Sequence, residues 1–218
     1  FKKENYLNWI TKFIKPKIVS LFKKRTAETD QILWTTCECK NLIYKEDLLK
    51  NLNCCPKCGA HHKLSCNERF ETFFDNKVFD LIKTPLPKDD PINFVDKKKY
   101  TDRLKLARKI TNQDDAVAIA TGKVDNISVT VGAQDFRFIG GSFGAASGEA
   151  FIHGIQHAID NKNPFIIFSC SGGQRMMESS IALMQMSRTV LAINELKKHN
   201  LPYIVVLTNP TTGGVTAS

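Results

Sequence analysis

The sequence predicts an α/β protein that carries a small four-cysteine metal-binding domain near its N-terminus. Two observations lead to this prediction. A unit of predicted strand, glycine pair and helix starts three times, with the glycine pairs beginning at Gly140, Gly172 and Gly213. Repeated units of this kind indicate stacked layers whose loops gather on one side. Five of the seven cysteines lie between Cys37 and Cys58, and such clustering is typical of a zinc site in a reducing compartment.

Positive charge is concentrated in the N-terminal third of the chain. Residues 1–63 hold 13 Lys and Arg against 6 Asp and Glu, whereas residues 64–218 hold 18 against 16. A polyanionic or acidic partner, such as a nucleic acid, would therefore bind the N-terminal third. The apolar fraction of 42% in 218 residues is enough for a sizeable core.

The sequence has neither a membrane span nor a secretory signal that can be recognised. No apolar run approaches the roughly 18 residues that a span needs, and the first 25 residues are basic and lack the apolar centre of a signal peptide. The chain opens on Phe1 without a methionine and ends just after a glycine pair. We therefore expect it to be part of a longer protein.

Residues 1–33 are predicted to be a basic amphipathic helical segment followed by a polar linker. Apolar and aromatic side chains recur there at helical spacing, at Tyr6, Trp9, Ile10, Phe13 and Ile14. The simpler interpretation is a helix that packs on its own domain or on a partner subunit. An organelle-targeting or membrane-surface helix is the alternative.

Residues 34–66 are predicted to form a zinc-ribbon domain with one structural zinc ion. Fifteen residues separate Cys39 from Cys55, which is within the range of a four-cysteine zinc site. Two tight turns that each present two thiolates supply the tetrahedron that zinc prefers. The predicted ligands are Cys37, Cys39, Cys55 and Cys58. The single residue between Cys37 and Cys39 is a shorter spacing than usual, and free buried cysteines are the alternative.

From residue 67 onward the sequence predicts first helices and then alternating strands and helices. The pairs Arg69-Phe70 and Phe73-Phe74 would bury one helical face, and the segment from Lys97 to Lys109 has the pattern of an amphipathic basic helix. The predicted elements after residue 116 are the strands Val117–Thr121 and Ile127–Val131 joined by an Asp125-Asn126 turn, a helix from Ala145 to about Ile159, and the strands Phe165–Ser169 and Tyr203–Leu207.

The junction after the strand Phe165–Ser169 is the candidate functional site. Gly172 and Gly173 end the strand, and the lack of Gly and Pro from Gln174 until Pro202 predicts a helix that begins at Gln174. Such a junction leaves backbone N–H groups unpaired at a helix N-terminus, where the dipole favours negative charge. Glycines also let a ligand oxygen approach the backbone. The alternative is a tight turn between strand and helix without a ligand.

Familiar catalytic and nucleotide-binding motifs are absent from the sequence. Position 142 is a serine, so the dinucleotide-binding glycine pattern fails, and neither a P-loop nor a Gly-x-Ser-x-Gly motif is present. Cys170 and Ser171 stand at the key turn, but the nearest histidines, His153 and His157, lie on the preceding predicted helix. A nucleophilic side chain is therefore disfavoured. The residues allow an oxyanion hole of main-chain amides, which suits a thioester enolate.

Five segments, in order, carry a resemblance to a known family. They are Trp34–Cys58, Phe138–Gly144, Ser171–Met176, Leu183–Met186 and Leu207–Ser218. The chain resembles, over almost its whole length, the carboxyltransferase β-subunit family of bacterial-type acetyl-CoA carboxylase. The resemblance implies a crotonase-like ββα spiral behind the zinc-ribbon domain. Residues 67–218 would then be a carboxyltransferase domain that is incomplete at its C-terminus.

The resemblance also implies a reaction and partners. The implied reaction transfers a carboxyl group from carboxybiotin, on the biotin carboxyl carrier protein, to acetyl-CoA and gives malonyl-CoA, the first committed step of fatty acid synthesis. The implied partners are a carboxyltransferase α subunit in an α₂β₂ assembly, the carrier protein and biotin carboxylase. The implied location is the bacterial cytoplasm, with an organelle stroma as the alternative.

Residue roles follow from the same resemblance. It implies that Gly172 and Gly173 form a catalytic oxyanion-hole pair, and that Arg175 holds the start of the helix or a phosphate. It implies that loops around the acyl-CoA pocket contain Gly140, Gly141, Gly213 and Gly214. The zinc ligands are the four cysteines already named.

Two alternative functions stay open from the sequence. A zinc-ribbon nucleic-acid-binding protein is suggested by the basic N-terminal third, and it predicts binding that weakens steeply with salt. Both activities could coexist in one chain. A hydratase or decarboxylase of the same fold would normally place a carboxylate near the oxyanion hole. Glu178 is the nearby carboxylate, and we expect it to serve structure.

Overall fold

The computed structural model describes residues 33–217. The chain divides into two compact units between His62 and Lys63. The predicted amphipathic helix around Tyr6 to Ile14 lies outside the described residues.

The first unit contains a small antiparallel hairpin and one short helix. Strands β1 (Trp34–Thr36) and β2 (Leu42–Tyr44) pair with Trp34 opposite Tyr44, and helix α1 (Lys45–Lys50) follows directly. Two of the four buried residues in its core are thiols: the core consists of Cys37, Ile43, Leu48 and Cys55. So small a core is typical of a unit that depends on a metal for its stability.

The second unit is built on one five-stranded mixed sheet. Its elements are α2 (Cys66–Phe73), β3 (Phe79–Ile82), α3 (Tyr100–Thr111), β4 (Val117–Val124), β5 (Ile127–Gln134), α4 (Ala145–Asp160), β6 (Phe165–Ser171), α5 (Ser180–Lys198) and β7 (Tyr203–Thr211). The strand order is β3-β4-β5-β6-β7. Pairing is antiparallel from β3 to β5 and parallel from β5 to β7. The three parallel strands therefore end at the same edge of the sheet.

Alternating side chains on the central strand explain why helices cover both faces of the sheet. In β6, Phe165 and Ile167 pack into the core that contains residues of α4 and α5. Ile166 and Phe168 pack into the core that contains residues of α2. A strand that is apolar on both faces needs cover on both sides, which the helices provide.

The predicted hairpin is confirmed. Its strands β4 and β5 each run three residues further than predicted, and the turn residues Asp125 and Asn126 have φ values of 51° and 63°. Positive φ at both central residues is the requirement of a type I′ turn. The carboxylate of Asp75 accepts hydrogen bonds from both turn amides at 3.1 Å.

The prediction of a helix that begins at Gln174 is wrong. Residues Met176–Glu178 form a 3₁₀ turn, and α5 begins only at Ser180. Ser179 has φ 50° and ψ −129°, a conformation that cannot continue a right-handed helix. The second glycine pair is therefore not at the N-terminus of an α-helix. Strand β3 was also not predicted from the sequence.

Candidate active site and metal centre

The four predicted zinc ligands lie together in the first unit. Their Sγ atoms are all within 4.8 Å of one another. Two of the distances are 3.6 Å, between Cys37 and Cys58, and 3.9 Å, between Cys39 and Cys55. Tetrahedral zinc with a Zn–S bond of about 2.3 Å separates its sulfurs by roughly 3.8 Å. The four thiols therefore fit one zinc ion.

Two tight turns present these thiols. In the first turn, the Cys37 amide donates to the Asn41 carbonyl at 3.0 Å, and Lys40 has φ 62°. This left-handed residue closes the turn around the short Cys37-Glu38-Cys39 spacing. The Asn41 Nδ2 atom donates to the Cys39 Sγ atom at 3.3 Å, a contact that orients a ligand.

Three glycine loops converge at the carboxyl edge of the parallel strands in the second unit. We call them the first (residues 140–141), second (residues 172–173) and third (residues 213–214) glycine loops. The Gly172 amide donates to the Gly140 carbonyl at 2.9 Å. A Cβ atom built on Gly213 would lie 3.2 Å from the Cα atom of Gly173. The grouping of these loops on one side, which the repeated pattern predicted, is therefore observed.

The first loop and the end of β6 approach too closely for a side chain at Gly141. This residue has φ 62°, and an added Cβ atom would lie 2.0 Å from the carbonyl oxygen of Cys170. A real Cβ does not come so near a backbone oxygen. Gly140, also at positive φ, has no atom within 4 Å of the same position. The close contact is thus specific to the second residue of the pair.

The amides of the second glycine loop have partners inside the protein, which corrects the expectation of unpaired N–H groups. The Gly172 amide bonds to Gly140, as described, and the Gly173 amide donates to the Ser171 Oγ atom at 3.0 Å. Beside Gly172 there is still space, because the atom nearest to an added Cβ is the Gly140 oxygen at 3.5 Å. A ligand oxygen would have to replace one of these partners. The oxyanion role of the pair stays a prediction.

Arg175 does not have the phosphate-binding position that the resemblance allowed. Its side chain is fully buried and forms a two-pronged ion pair with Asp115, with Nη1–Oδ2 at 2.6 Å and Nη2–Oδ1 at 2.8 Å. Burial acts to lower the pKa of Arg175, but the charge and hydrogen bonds of Asp115 raise it above its ordinary value. This guanidinium is therefore charged and already paired.

Glu178 and Tyr100 complete the same buried cluster. The Tyr100 hydroxyl donates to the Glu178 Oε1 atom at 2.6 Å, and the Ala145 amide donates to Oε2 at 2.6 Å. Burial raises the pKa of Tyr100, so its phenol is neutral. The structural role expected for Glu178 is confirmed. Sequence reasoning missed Tyr100 and Asp115, since they lie 75 and 60 residues from Arg175 and no local pattern marks them.

Two family models match the chain. The model described as the carboxyl transferase domain matches residues 92–216. The model described as the acetyl-CoA carboxylase zinc finger domain matches residues 34–58.

Solved structures with similar folds include carboxyl-transferring and decarboxylating enzymes. Transcarboxylase 12S is similar at a TM-score of 0.56 and 24% identity, over 72% of this chain and 28% of that one. The Pseudomonas malonate decarboxylase hetero-dimer is similar at a TM-score of 0.52 and 20% identity, over 71% of this chain and 57% of that one. These likenesses show the crotonase-like α/β fold. Fold and family models together define a carboxyl transferase with a zinc ribbon.

Similar curated proteins narrow this class. The acetyl-coenzyme A carboxylase carboxyl transferase subunit beta of Pelagibacter ubique is 52% identical over 216 residues, which are 97% of this chain and 70% of the relative. One from Jannaschia sp. is 46% identical over 213 residues, which are 66% of that relative. The chain belongs to the family of acetyl-coenzyme A carboxylase carboxyl transferase β subunits.

Membrane insertion and nucleic-acid binding are separate questions for this chain. Between residues 33 and 217, no helix is long and apolar enough to cross a membrane. The family matches do not favour a zinc-ribbon nucleic-acid-binding protein as the alternative function. Binding of nucleic acid by the basic N-terminal third stays a prediction.

Proposed function

We propose that this chain, together with a partner subunit, transfers the carboxyl group of carboxybiotin to acetyl-CoA and so forms malonyl-CoA. The observation that carries the proposal is the convergence of three glycine loops at one edge of the sheet, in a chain of this family. Ligands of open α/β sheets bind outside the carboxyl ends of the strands. Main-chain amides at such a place stabilise an oxygen that gains negative charge.

Within this proposal, the second glycine loop supplies the oxyanion donors. Gly172 and Gly173 would exchange their present partners, the Gly140 carbonyl and the Ser171 hydroxyl, for an oxygen of the substrate. Carboxybiotin, when bound, supplies the carboxyl group. The chain's own contribution is to hold amides and to exclude side chains that would block them.

The first and third loops would shape the acyl-CoA pocket through Gly140, Gly141, Gly213 and Gly214. In support, the lining of a cavity of about 130 Å³ includes one residue within three positions of each loop, namely Phe143, Ser169 and Val215. An acetyl group, the smallest thioester acyl group with a methyl carbon, is compatible with a cavity of that size.

The partners proposed are the carboxyltransferase α subunit in an α₂β₂ assembly, the biotin carboxyl carrier protein and biotin carboxylase. Residues 34–66 would be the zinc-ribbon domain and residues 67–218 the carboxyltransferase domain. The bacterial cytoplasm is the proposed location, because the curated relatives named above come from bacteria.

A coupled assay with the α subunit tests the reaction. It follows the malonyl-CoA-dependent carboxylation of biocytin, a soluble biotin analogue. We expect turnover only when both chains are present. Turnover by this chain alone, or none by the pair, would contradict the proposal.

Gly172→Ala tests the role of the second glycine loop. The new methyl group has no close neighbour within the chain, since the Gly140 oxygen lies 3.5 Å from it. We therefore expect an unchanged fold, but a loss of about 100-fold in kcat because the methyl group obstructs a substrate oxygen. The measurement is kcat in the coupled assay together with the melting temperature.

A matched control is Ser128→Ala, at an exposed position of β5 near the hairpin turn. It should leave both quantities unchanged. Wild-type turnover by Gly172→Ala would show that no substrate oxygen approaches this loop. A substitution at Gly173, such as Gly173→Val, would be less informative, because φ 124° strains any side chain there.

A further inference from the structure

One buried cluster links the segments that follow the first and second glycine loops. It consists of Tyr100, Asp115, Arg175 and Glu178, and we call it the buried clamp. We infer that the buried clamp fixes the separation of the two loops and that its members are positioning residues for carboxyl transfer. This inference rests on the proposed function.

Arg175 joins the two segments directly. It lies two residues after Gly173, and its Nη2 atom donates to the carbonyl oxygen of Ser142 at 2.6 Å. Its Nε atom is 3.2 Å from the hydroxyl of the same serine, which directly follows Gly141. Two main-chain hydrogen bonds join the same segments. The Arg175 amide donates to the Phe143 carbonyl at 2.8 Å, and the Phe143 amide donates to the Gly173 carbonyl at 2.9 Å. One side chain and a short ladder therefore connect both loops.

Asp115 holds the guanidinium in this position. The side chains of Arg175 and Asp115 are 0% and 5% exposed. A two-pronged pair of this kind fixes direction as well as distance. Because it is buried, loss of either partner would leave an uncompensated charge. The Ser147 hydroxyl also donates to Asp115, at 2.5 Å, and so ties the pair to the first turn of α4.

Glu178 ties the start of α4 to the same cluster. Gly144 is the N-cap residue of α4 and has no side chain that could cap the helix. The Glu178 Oε2 atom instead accepts the hydrogen bond of the Ala145 amide, and Oε1 accepts that of the Tyr100 hydroxyl. A carboxylate at a helix N-terminus is favourable. The chain just after the first loop is thus held by the turn just after the second.

The clamp bears on catalysis because the proposed donors are main-chain amides. An amide cannot be reoriented by a rotamer change, so its position is set by the loops. A displacement of about 1 Å at a reacting centre costs on the order of 100-fold in rate. Because residues of the clamp are buried and paired with one another, we expect them not to contact the substrate, and their effect should fall on kcat more than on KM.

The test uses the complete chain assembled with its α subunit. Arg175→Lys keeps the positive charge but lacks the planar fork that reaches Asp115 and Ser142 together. We expect kcat to fall by about 100-fold, with KM for malonyl-CoA within about twofold of wild type. Tyr100→Phe, which removes one hydroxyl from a buried side chain, should lower kcat by about tenfold.

Arg188→Lys is the matched control. Arg188 on α5 pairs with Glu149 on α4 at 2.7 Å, so it also bridges two elements of this unit, but it is partly exposed. Its kcat should equal that of wild type. A kcat within twofold of wild type for Arg175→Lys would overturn the inference. So would a loss of folded complex with kcat per folded complex unchanged, since that pattern indicates stability alone.

Hydrogen exchange separates failure of the clamp from failure of the proposed function. In Arg175→Lys, amides of residues 140–144 and 171–175 should exchange at least about tenfold faster, while those of β4 and β5 keep their rates. An inactive wild-type complex would refute the proposed function and leave this measurement valid. Unchanged exchange in both loops would overturn the clamp.

Discussion

The four-cysteine site and the glycine site are built in opposite ways. The metal site uses four side chains from two turns that lie within residues 37–58. The glycine site uses main-chain groups from loops as far apart in sequence as Gly140 and Gly213, and side chains are excluded where these loops touch. In the four-cysteine site, the sequence identifies the side chains that bind the metal. In the glycine site, it identifies only the positions where side chains are missing, and distant residues decide the geometry.

The largest effect is expected when a metal ligand is lost. Cys55→Ser removes a buried thiolate from the cluster, and binding of structural zinc contributes about 10–16 kcal/mol of apparent free energy to small zinc units. We expect the zinc content to fall from one ion per chain to none, and residues 34–62 to become sensitive to protease. Elemental analysis and limited proteolysis measure these changes.

Cys54→Ser is the control for this prediction. Cys54 is adjacent in sequence, but its Sγ atom contacts the His61 Nδ1 atom at 3.4 Å and does not belong to the four-thiol cluster. It should keep the zinc ion. Loss of zinc from Cys54→Ser with retention in Cys55→Ser would mean that the ligand set is wrong.

A smaller effect is expected from a methyl group in the first glycine loop. Gly141→Ala places a Cβ atom against the Cys170 carbonyl at a distance of 2.0 Å and also strains a positive φ. Overpacking and strain together should lower the free energy of unfolding by about 3 kcal/mol. Denaturant unfolding of the purified chain measures this change.

The neighbouring residue supplies the control. Gly140→Ala has nearly the same φ but no atom within 4 Å of the new methyl group. Its destabilisation should be about 1 kcal/mol, the cost of the backbone conformation alone. Equal losses at the two positions would show that the first loop does not approach the end of β6 as described.

The same contrast explains what could be predicted from the sequence. The metal site was predictable because its ligands follow a local spacing. The hairpin and helix α4 were predictable because turn residues and periodicity mark them. The start of α5 was not, because no residue from Gln174 to Ser179 is a helix breaker. Arg175 is instead drawn into an ion pair with Asp115, 60 residues earlier, which no local signal reports.

Strand β3 was missed for a related reason. Residues Phe79–Ile82 are short and only partly buried, and their pairing partners in β4 begin at Ile119 and end at Gly122. A strand of this kind is defined by its neighbour more than by its own residues. Local sequence patterns therefore predicted the elements that nearby residues decide, and they missed β3 and the start of α5, which distant residues decide.

The smallest perturbation is the labelling of thiols, which distinguishes three kinds of cysteine. Four are held by the metal site, and Cys66 lies in the core of the second unit, where burial and then the charge of Asp135 raise its pKa to about 12. A protonated, buried thiol reacts slowly. Cys54 and Cys170 are half-buried. We expect these two to react first with a thiol reagent in the native, zinc-loaded protein.

Removal of zinc by a chelator should then release the four metal ligands, and denaturant should release Cys66 last. The order in which the thiols react shows whether the metal or the folded core protects each of them. Substitution of Cys170 by serine should remove one thiol from the first group and leave the later steps unchanged. If Cys66 reacted together with the metal ligands, protection of the second unit's core would depend on the zinc ion. The four-cysteine site and the unit that holds the glycine site would then not be independent of each other.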